Sequence, residues 1–243
     1  MIILSVGMPR AGSGWHYNLI HDLVVANGGK NAREVRQEFH LQKILTEVNC
    51  NISALTMRRL FLVLPATLAG NTFAIKAHSG ATAVSDLFIK SSWMKTTYIY
   101  RDPRDAMLSA MDYGKRTLDK GRPNAFSHLN NLDSSIDFML KYCEIWESWI
   151  SRKSVLTAKY EDLLQNYDLE AGRLVEFLRF KKKNALVSAV VEKYRPGQAQ
   201  ENRDGLHFFK GQIGRFRERF TQEEQKKMAD KFGSYLEKMG YEI

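Results

Sequence analysis

A glycine-rich turn near the amino terminus has the residue types of an anion-binding site. The segment "GMPRAGSGW", residues 7 to 15, follows the apolar run "IILSV". The backbone N–H groups of such a turn, together with the start of a helix, bind an anion without any side chain. Arg10 adds a positive charge, Ser13 adds a hydroxyl, and Trp15 has a flat face suited to a base. The alternative is an ordinary strand-to-helix turn with a core tryptophan.

The spacing of this turn departs from the phosphate loop of nucleotide triphosphatases. That loop reads G-x-x-x-x-G-K-[ST], in which the Lys follows the phosphates and the hydroxyl binds Mg²⁺. Gly7 and Gly12 have the required spacing, but Ser13 and Gly14 stand where the Lys and the Ser or Thr belong. A P-loop kinase also needs an acidic metal ligand at the end of a strand, and the third apolar run ends in Arg101 instead. The kinase is therefore the weaker alternative.

Lys76 and His78 form a second candidate pair, in the stretch "KAHSG" at the end of another apolar run. Residues two apart in an extended chain share a face, so the ammonium and the imidazole point to the same side. Imidazole is the usual general base near neutral pH. The alternative is a surface histidine beside a surface lysine.

Further candidate ligands follow two more apolar runs. Arg101 ends its run, and Asp102–Pro103 have the form of a helix cap followed by a helix-starting proline. Arg101 suits the oxygens of a phosphate, and Ser109 lies two helical turns further on. The alternatives are a salt bridge from Arg101 to Asp105 and a serine on the helix surface. Tyr160, in "YED", either hydrogen-bonds to or stacks on a purine, or packs in the core.

The long polar stretch of residues 195–214 contains the last candidates. Its segment "FFKGQIGRF" places Lys210 between apolar residues and beside Gly211. A loop of this length in a compact domain is usually functional or disordered. A flexible basic lid over phosphates is one interpretation, and a solvated loop is the other.

These residues follow the strands of an expected parallel sheet. Apolar, β-branched or aromatic runs predict strands at Ile2–Val6, Thr72–Lys76, Thr96–Tyr100 and Val155–Lys159. Helical patterns predict helices at Gly14–Ala26, Ala32–Cys50, Ala81–Lys90, Pro103–Lys115, Ser134–Ile150, Leu169–Phe180, Ala185–Tyr194 and Thr221–Met239. This alternation predicts an α/β fold whose helices cover both faces of the sheet. Ligands of such sheets bind at the carboxyl ends of the strands.

Composition limits the class of protein. The chain has 243 residues, of which 44% are hydrophobic, so one domain over residues 1–243 is expected. Neither a membrane span nor a signal peptide is expected. Cys50 and Cys143 are too few for a disulfide framework, which indicates a reducing, cytoplasmic setting. The net charge of +9 favours anionic partners, which include nucleic acid, a small molecule with several phosphates and an acidic acceptor. Of these, nucleic acid is not the expected partner.

Taken together, the order and spacing of these motifs resemble the sulfotransferase superfamily, which uses 3′-phosphoadenosine 5′-phosphosulfate (PAPS) as sulfuryl donor. The family's P-K-S-G-T-T-W or P-R-S-G-T-T loop corresponds to "PRAGSGW", its K-T-H to "KAH" and its Y-E-D to "YED". Its Arg and Ser eight residues apart correspond to Arg101 and Ser109, and its closing R-K-G-x-x-G-D-W-K-x-x-F-T to "FKGQIGRFRERFT". The resemblance implies a three-layer, P-loop-like fold and an in-line transfer that uses no metal and releases PAP.

The resemblance also implies roles for single residues. His78 is the expected general base, while Arg10 and Lys76 are expected to stabilise the negative charge that develops as PAP leaves. The main chain from Ala11 to Gly14, with the Ser13 hydroxyl, is expected to hold the 5′-phosphate. The positions implied to bind the donor are Arg10, Ala11, Gly12, Ser13, Gly14 (5′-phosphate loop), Arg101, Ser109, Phe209, Lys210, Gly211 (3′-phosphate), Trp15 and Tyr160 (adenine).

The sequence departs from the family pattern at several of these positions. Gly14 lacks the hydroxyl of the family's Thr, and Phe209 replaces the Arg of R-K-G, which predicts weaker 3′-phosphate binding. Arg215–Phe216 replace Asp-Trp. The family's K-x-x-x-T-V-x-x-x-E dimerisation motif survives only in part, at Arg217 and Thr221, so its dimer is not assumed.

The acceptor is less defined than the donor. Candidate acceptor-facing side chains are Phe39, Met57, Phe61, Trp93, Tyr113, Phe126 and Phe208. They favour a small molecule with an apolar or aromatic alcohol, or an amine. The positive charge also suits an acidic glycan. A non-catalytic module that binds PAP or a polyanion is the alternative to an enzyme.

Overall fold

The computed structural model describes residues 1–180, 184–197 and 211–243. In these residues the strands are β1 Ile2–Gly7, β2 Asn51–Ile52, β3 Phe73–Ala77, β4 Met94–Tyr100 and β5 Val155–Lys159. The strand order is β2-β3-β1-β4-β5, and every pair of neighbours is parallel. The predicted α/β fold with a central parallel sheet is therefore confirmed.

Helices cover both faces of this sheet. Their bounds are α1 Ser13–Ala26, α2 Ala32–Glu38, α3 Met57–Leu68, α4 Ala83–Lys90, α5 Pro103–Asp119, α6 Leu132–Ile150, α7 Tyr160–Gln165, α8 Tyr167–Phe177, α9 Ala185–Lys193, α10 Phe216–Arg219 and α11 Gln222–Met239. Alternate side chains of β1 face opposite sides, as the pleat requires. Leu4 and Val6 belong to a core with α3 to α6 and α11, whereas Ile3 belongs to a core with α1, α8 and α9.

The largest error of the sequence prediction is a helix that ends early. The helix expected over 32–50 ends at Glu38, and the residues after it form turns. Side chains of α2 hold these turns, because Arg36 Nε donates to the Leu45 carbonyl at 2.7 Å and Arg33 Nη2 to the Val48 carbonyl at 2.7 Å. Helix propensity in this segment is thus overridden by side-chain bonds to the main chain.

Four elements were not predicted at all: β2, α3, α7 and α10. Strand β2 has only two residues, which pair with Lys76 and Ala77 of β3. Helix α3 contains Pro65, and proline usually ends or kinks a helix when it lies in the interior. No helix in the described part of the chain is both long enough and apolar enough to cross a membrane.

The register of the strands brings the candidate residues to one edge of the sheet. Val6 of β1 pairs with Ala77 of β3, and Gly7 pairs with Ile99 of β4. The strands on either side of β1 therefore end level with it. The glycine-rich turn, His78 and Arg101 follow these ends directly, so one edge of the sheet collects them.

Candidate active site

The turn between β1 and α1 depends on glycine at two positions. Gly12 has φ 76°, and a Cβ there would lie 2.7 Å from a ring carbon of Tyr160. At Gly7 a Cβ would lie 2.7 Å from the Ile99 side chain. Helix α1 then begins without a side-chain cap and without an acidic residue in its first turn. The N–H groups and positive end of the helix are thus left for an anion.

Gly12→Ala is predicted to destabilise the protein more than Gly28→Ala. Gly28 has φ 87° and no atom within 4 Å of a Cβ placed on it. The loss of stability in Gly28→Ala therefore measures only the cost of a left-handed backbone at alanine. We expect that cost to be about 1–2 kcal/mol. The overlap with Tyr160 adds about 1–3 kcal/mol for Gly12→Ala. Urea unfolding of both variants measures the difference, and equal losses would show that the loop does not need this close approach.

His78 has the geometry of a general base. Its Nδ1 lies 2.6 Å from the Gly7 carbonyl oxygen. A carbonyl only accepts hydrogen bonds, so Nδ1 carries the proton and Nε2 keeps its lone pair. Burial, and then the charge of Lys76, lower the pKa of His78 to about 4. The imidazole is therefore neutral and able to accept a proton at physiological pH, and it stays partly exposed to solvent.

Two cations lie close to this histidine. Lys76 is buried, and its pKa is lowered to about 8 by burial and by the charge of Arg10. Burial likewise lowers the pKa of Arg10 to about 10. Neither side chain forms an ion pair with a carboxylate of the described residues. Asp112 acts on Arg10 without an ion pair, and the remaining positive charge of the two side chains favours an anion.

Arg10 is held in place by α5. Its backbone is left-handed, with φ 63°, which is uncommon for a residue other than glycine. Its Nε donates to Ser109 Oγ at 3.3 Å, and its guanidinium lies 4.5 Å from the centre of the Tyr113 ring. Ser109, a predicted 3′-phosphate ligand, thus contacts the predicted charge-stabilising arginine.

Arg101 is both paired and partly free. The alternative expected from sequence is present, because Nη2 donates to Asp105 at 3.2 Å. The same nitrogen donates to the Gln212 carbonyl at 2.6 Å, and the guanidinium lies 4.6 Å from the centre of the Tyr160 ring. Its Nε is buried and has no hydrogen-bond partner in the structure. One donor at the edge of the sheet is therefore left for a ligand.

The aromatic pair predicted at the adenine is mostly enclosed. Trp15 is 6% exposed and its Nε1 donates to the Tyr194 carbonyl at 3.0 Å. Its ring is parallel to Tyr167, with centroids 6.1 Å apart, and edge-on to Tyr160 at 6.3 Å. Tyr160 is itself 5% exposed. The packing is thus that of a core tryptophan, and only a small part of either ring can meet a base.

Part of the predicted lid lies outside the described residues. Phe208, Phe209 and Lys210 are in this group, so their roles stay predictions. Gly211 is described and has φ 59°, a left-handed conformation that favours glycine. The next residue, Gln212, supplies the carbonyl that Arg101 binds.

Asp105 was not predicted as part of the site. Its carboxylate accepts the Gly214 N–H at 2.7 Å and the Phe216 N–H at 3.1 Å, besides the bond from Arg101. It is almost fully buried. Asp105 therefore ties the end of the long polar stretch to the arginine. Its spacing of four residues from Arg101 was the available signal, and it indicated only the ion pair.

Ser5 and His16 form a second polar contact that sequence reasoning missed. His16 Nδ1 lies 3.2 Å from Ser5 Oγ, and Ser5 pairs with Lys76 across the sheet. Burial, and then the charge of Lys76, lower the pKa of His16 to about 3. The imidazole is therefore a neutral polar neighbour of Lys76. The only signal in the sequence was a serine within an apolar strand.

Of the candidate acceptor-facing residues, Tyr113 contacts Arg10, and Phe126 packs against Tyr113 with ring centroids 5.8 Å apart. Gly114 permits this contact, because a Cβ there would overlap the Phe126 carbonyl. Trp93 directly precedes β4, at the opposite edge of the sheet, so its assignment to the acceptor side was wrong. Met57 and Phe61 lie on the exposed side of α3.

A comparison with models of protein families identifies the family to which a chain with this candidate site belongs. A family model described as a sulfotransferase domain matches residues 2–240. The chain belongs to the sulfotransferase family. The resemblance carried by the five motifs is thereby confirmed.

Three proteins that are similar to this chain are distant from it in sequence. Sulfotransferase 6B1 of Danio rerio is 22% identical, over 96% of this chain and 78% of its own length. Retinol dehydratase in complex with androsterone and the inactive cofactor PAP has a TM-score of 0.63 at 18% identity, covering 97% of this chain and 80% of that one. Mouse sulfotransferase SULT7A1 complexed with PAP has a TM-score of 0.63 at 14% identity, covering 97% and 84%. At these identities the structural likeness shows the fold alone.

Proposed function

We propose that this sulfotransferase moves the sulfuryl group of PAPS to a hydroxyl or amine of a small molecule, without a metal and with His78 as general base. The observation that carries the proposal is the Nδ1–H bond of His78 to the Gly7 carbonyl, at 2.6 Å. This bond leaves Nε2 free to accept a proton beside Lys76 and Arg10. Family membership, and the PAP in two structural neighbours, support the choice of donor.

The residues present fit a donor with separate 5′- and 3′-anions. The uncapped start of α1, with the main chain from Ala11 to Gly14 and the Ser13 hydroxyl, suits the 5′-phosphate. The buried and unpartnered Nε of Arg101 suits the 3′-phosphate, with Ser109 and Gly211 nearby in the motif pattern and Lys210 as a further ligand. Trp15 and Tyr160 would offer their exposed edges to the adenine.

His78, Lys76 and Arg10 have different roles in the sulfuryl transfer. PAPS supplies the sulfuryl group when bound. His78 Nε2 takes the proton from the acceptor hydroxyl, which makes the oxygen a better nucleophile. Lys76 and Arg10 stabilise the negative charge that develops on the leaving side, in a site where burial strengthens electrostatic interactions. Positioning and charge are thus the protein's main contributions.

Tyr113 and Phe126 favour an acceptor with an apolar or aromatic body. They form a wall next to Arg10, and Phe138 extends it, with its ring centroid 5.8 Å from that of Phe126. Androsterone and retinol, which are small apolar molecules, are bound in structures of retinol dehydratase. An acidic glycan remains the second proposed class of acceptor. We also propose that residues 1–243 form one domain and that the enzyme acts in the cytoplasm.

PAP is predicted to stabilise the protein in the absence of Mg²⁺. A ligand at about 100 times its Kd adds about 2.7 kcal/mol to the free energy of unfolding. For a chain of this size the melting temperature then rises by about 5–10 °C. ATP with Mg²⁺ is expected to do less, because Ser13–Gly14 replace the residues that bind its γ-phosphate and metal. Thermal unfolding with each ligand measures this, and Arg101→Gln is expected to lower the shift.

The function itself is tested by incubating the enzyme with labelled PAPS and a panel of phenols, aliphatic alcohols and amines. Label that appears in one acceptor and depends on His78 supports the proposal. A PAP shift without transfer to any acceptor would favour the non-catalytic module. No shift with PAP would reject PAPS as donor.

A further inference from the structure

Helix α3 is apolar on both its inner and its outer side. On the inner side Leu60 and Val63 are fully buried in the core. The large apolar side chains of its outer side are 44–67% exposed: Met57, Phe61, Leu62 and Leu68. A surface helix of a globular protein normally places polar residues on its outer side, and a helix that is apolar all round is normally covered. The outer face of α3, defined by these four residues, is therefore largely uncovered in the chain as described, although the Phe61 ring contacts that of Phe88, with 5.6 Å between their centroids.

The charged residues of α3 itself are both positive. The sequence of α3, "MRRLFLVLPATL", contains no acidic residue. Arg58 is exposed within the apolar arc, at the first turn of the helix. Arg59 is only partly exposed and donates to Ser53 Oγ. The face thus combines exposed apolar side chains with a positive charge.

The size and charge of the outer face argue against a second copy of this chain as its partner. With about half to two thirds of each side chain exposed, the four residues offer roughly 400 Å² of apolar surface, about half of what one partner buries in a stable dimer. Charge does not favour such a pairing either, because α3 carries no carboxylate that could bind Arg58 of the other copy.

A binding partner whose surface is both apolar and negatively charged would complement the exposed apolar side chains and the positive charge of this face. We propose that the outer face of α3 binds the surface of an anionic lipid bilayer. The helix has 12 residues and a length of about 18 Å, which is too short to span a bilayer but suits a helix lying in the interface. The exposed side chains enter the boundary between headgroups and acyl chains, and Arg58 meets the lipid phosphates.

The test is flotation of the full-length protein with lipid vesicles. One preparation contains phosphatidylcholine alone, and in the other half of the lipid is phosphatidylglycerol. The protein is expected to float with the anionic vesicles and to be released by high salt. Leu62→Gln/Leu68→Gln is expected to weaken this binding about tenfold or more. Arg58→Gln is expected to weaken it about fivefold.

The control variant is Leu169→Gln/Leu186→Gln. These leucines are 65% and 64% exposed on other helices, so the change removes a matched apolar surface elsewhere and is expected to leave binding unchanged. Glutamine is a good helix former, which keeps the fold of each variant comparable by circular dichroism. The proposal is overturned if the native protein does not float, or if both double variants bind equally. It is also overturned if sedimentation shows a dimer that only the α3 variant dissociates.

Discussion

Replacing His78 by alanine is expected to lower the turnover of PAPS about 10²- to 10⁴-fold, the range typical of a lost general base. The Nδ1–H bond to Gly7 fixes the tautomer, and the pKa of about 4 keeps the ring neutral over the physiological range. Both features are specific to proton acceptance. Donor binding does not depend on them, so the rise in melting temperature caused by PAP is expected to be the same in His78→Ala and in the native enzyme.

The matched control for this prediction is His40→Ala. His40 is an exposed histidine that follows α2, and its removal is expected to leave turnover unchanged. The single-turnover rate with a saturating acceptor separates the chemical step from product release. Retained turnover in His78→Ala would reject its role as base. A lost PAP shift in the same variant would instead indicate that His78 supports the donor site.

The edge of the sheet on which the site lies could be predicted from sequence. Lys76 and Arg101 each stand at the end of an apolar run, and parallel strands joined by helices end at a common edge. The cap formed by Asp102 and Pro103 also marked the start of α5 correctly.

The contacts that join distant parts of the chain could not be predicted in the same way. Arg101 binds the Gln212 carbonyl, and Asp105 binds the N–H groups of Gly214 and Phe216, more than 100 residues away. Local spacing carries no information on such pairs. Helix α3 was missed for a local reason, because Pro65 lies inside it and proline in a helical pattern usually marks the end of a helix.

The site differs from its sequence motifs in how Arg10 is held. The sequence predicted that Arg10 and Lys76 stabilise charge together, but it did not predict that Ser109 and Tyr113 of α5 contact the Arg10 guanidinium. A fixed cation needs little reorganisation when charge develops beside it, and such preorganisation is what makes electrostatic stabilisation effective. Arginine suits this role better than lysine, because its Nε–H binds Ser109 while the planar face of its guanidinium packs on Tyr113.

Replacing Lys76 by methionine is expected to lower kcat about 10²- to 10³-fold. This is the typical effect of removing one preorganised hydrogen-bond donor that stabilises charge developing in the transition state. The same change is expected to raise the melting temperature. Lys76 is 7% exposed and has no ion-pair partner among the described residues, so its buried charge costs stability that an apolar side chain of similar length restores. Opposite changes in activity and stability would mark the residue as functional.

The pH profile of kcat/KM tests the charge of Lys76 directly. Burial and Arg10 lower the pKa of Lys76 to about 8, so its ammonium is present below that pH and is lost above it. Activity of the native enzyme is therefore expected to fall above about pH 8, while Lys76→Arg, whose side chain stays charged, is expected to move this fall to higher pH. Lys95→Met is the control, because Lys95 lies near the start of β4, at the edge of the sheet opposite to Lys76, and donates to the Phe177 carbonyl at 2.8 Å. An alkaline limb that is identical in the native enzyme and in Lys76→Arg would show that another group controls it.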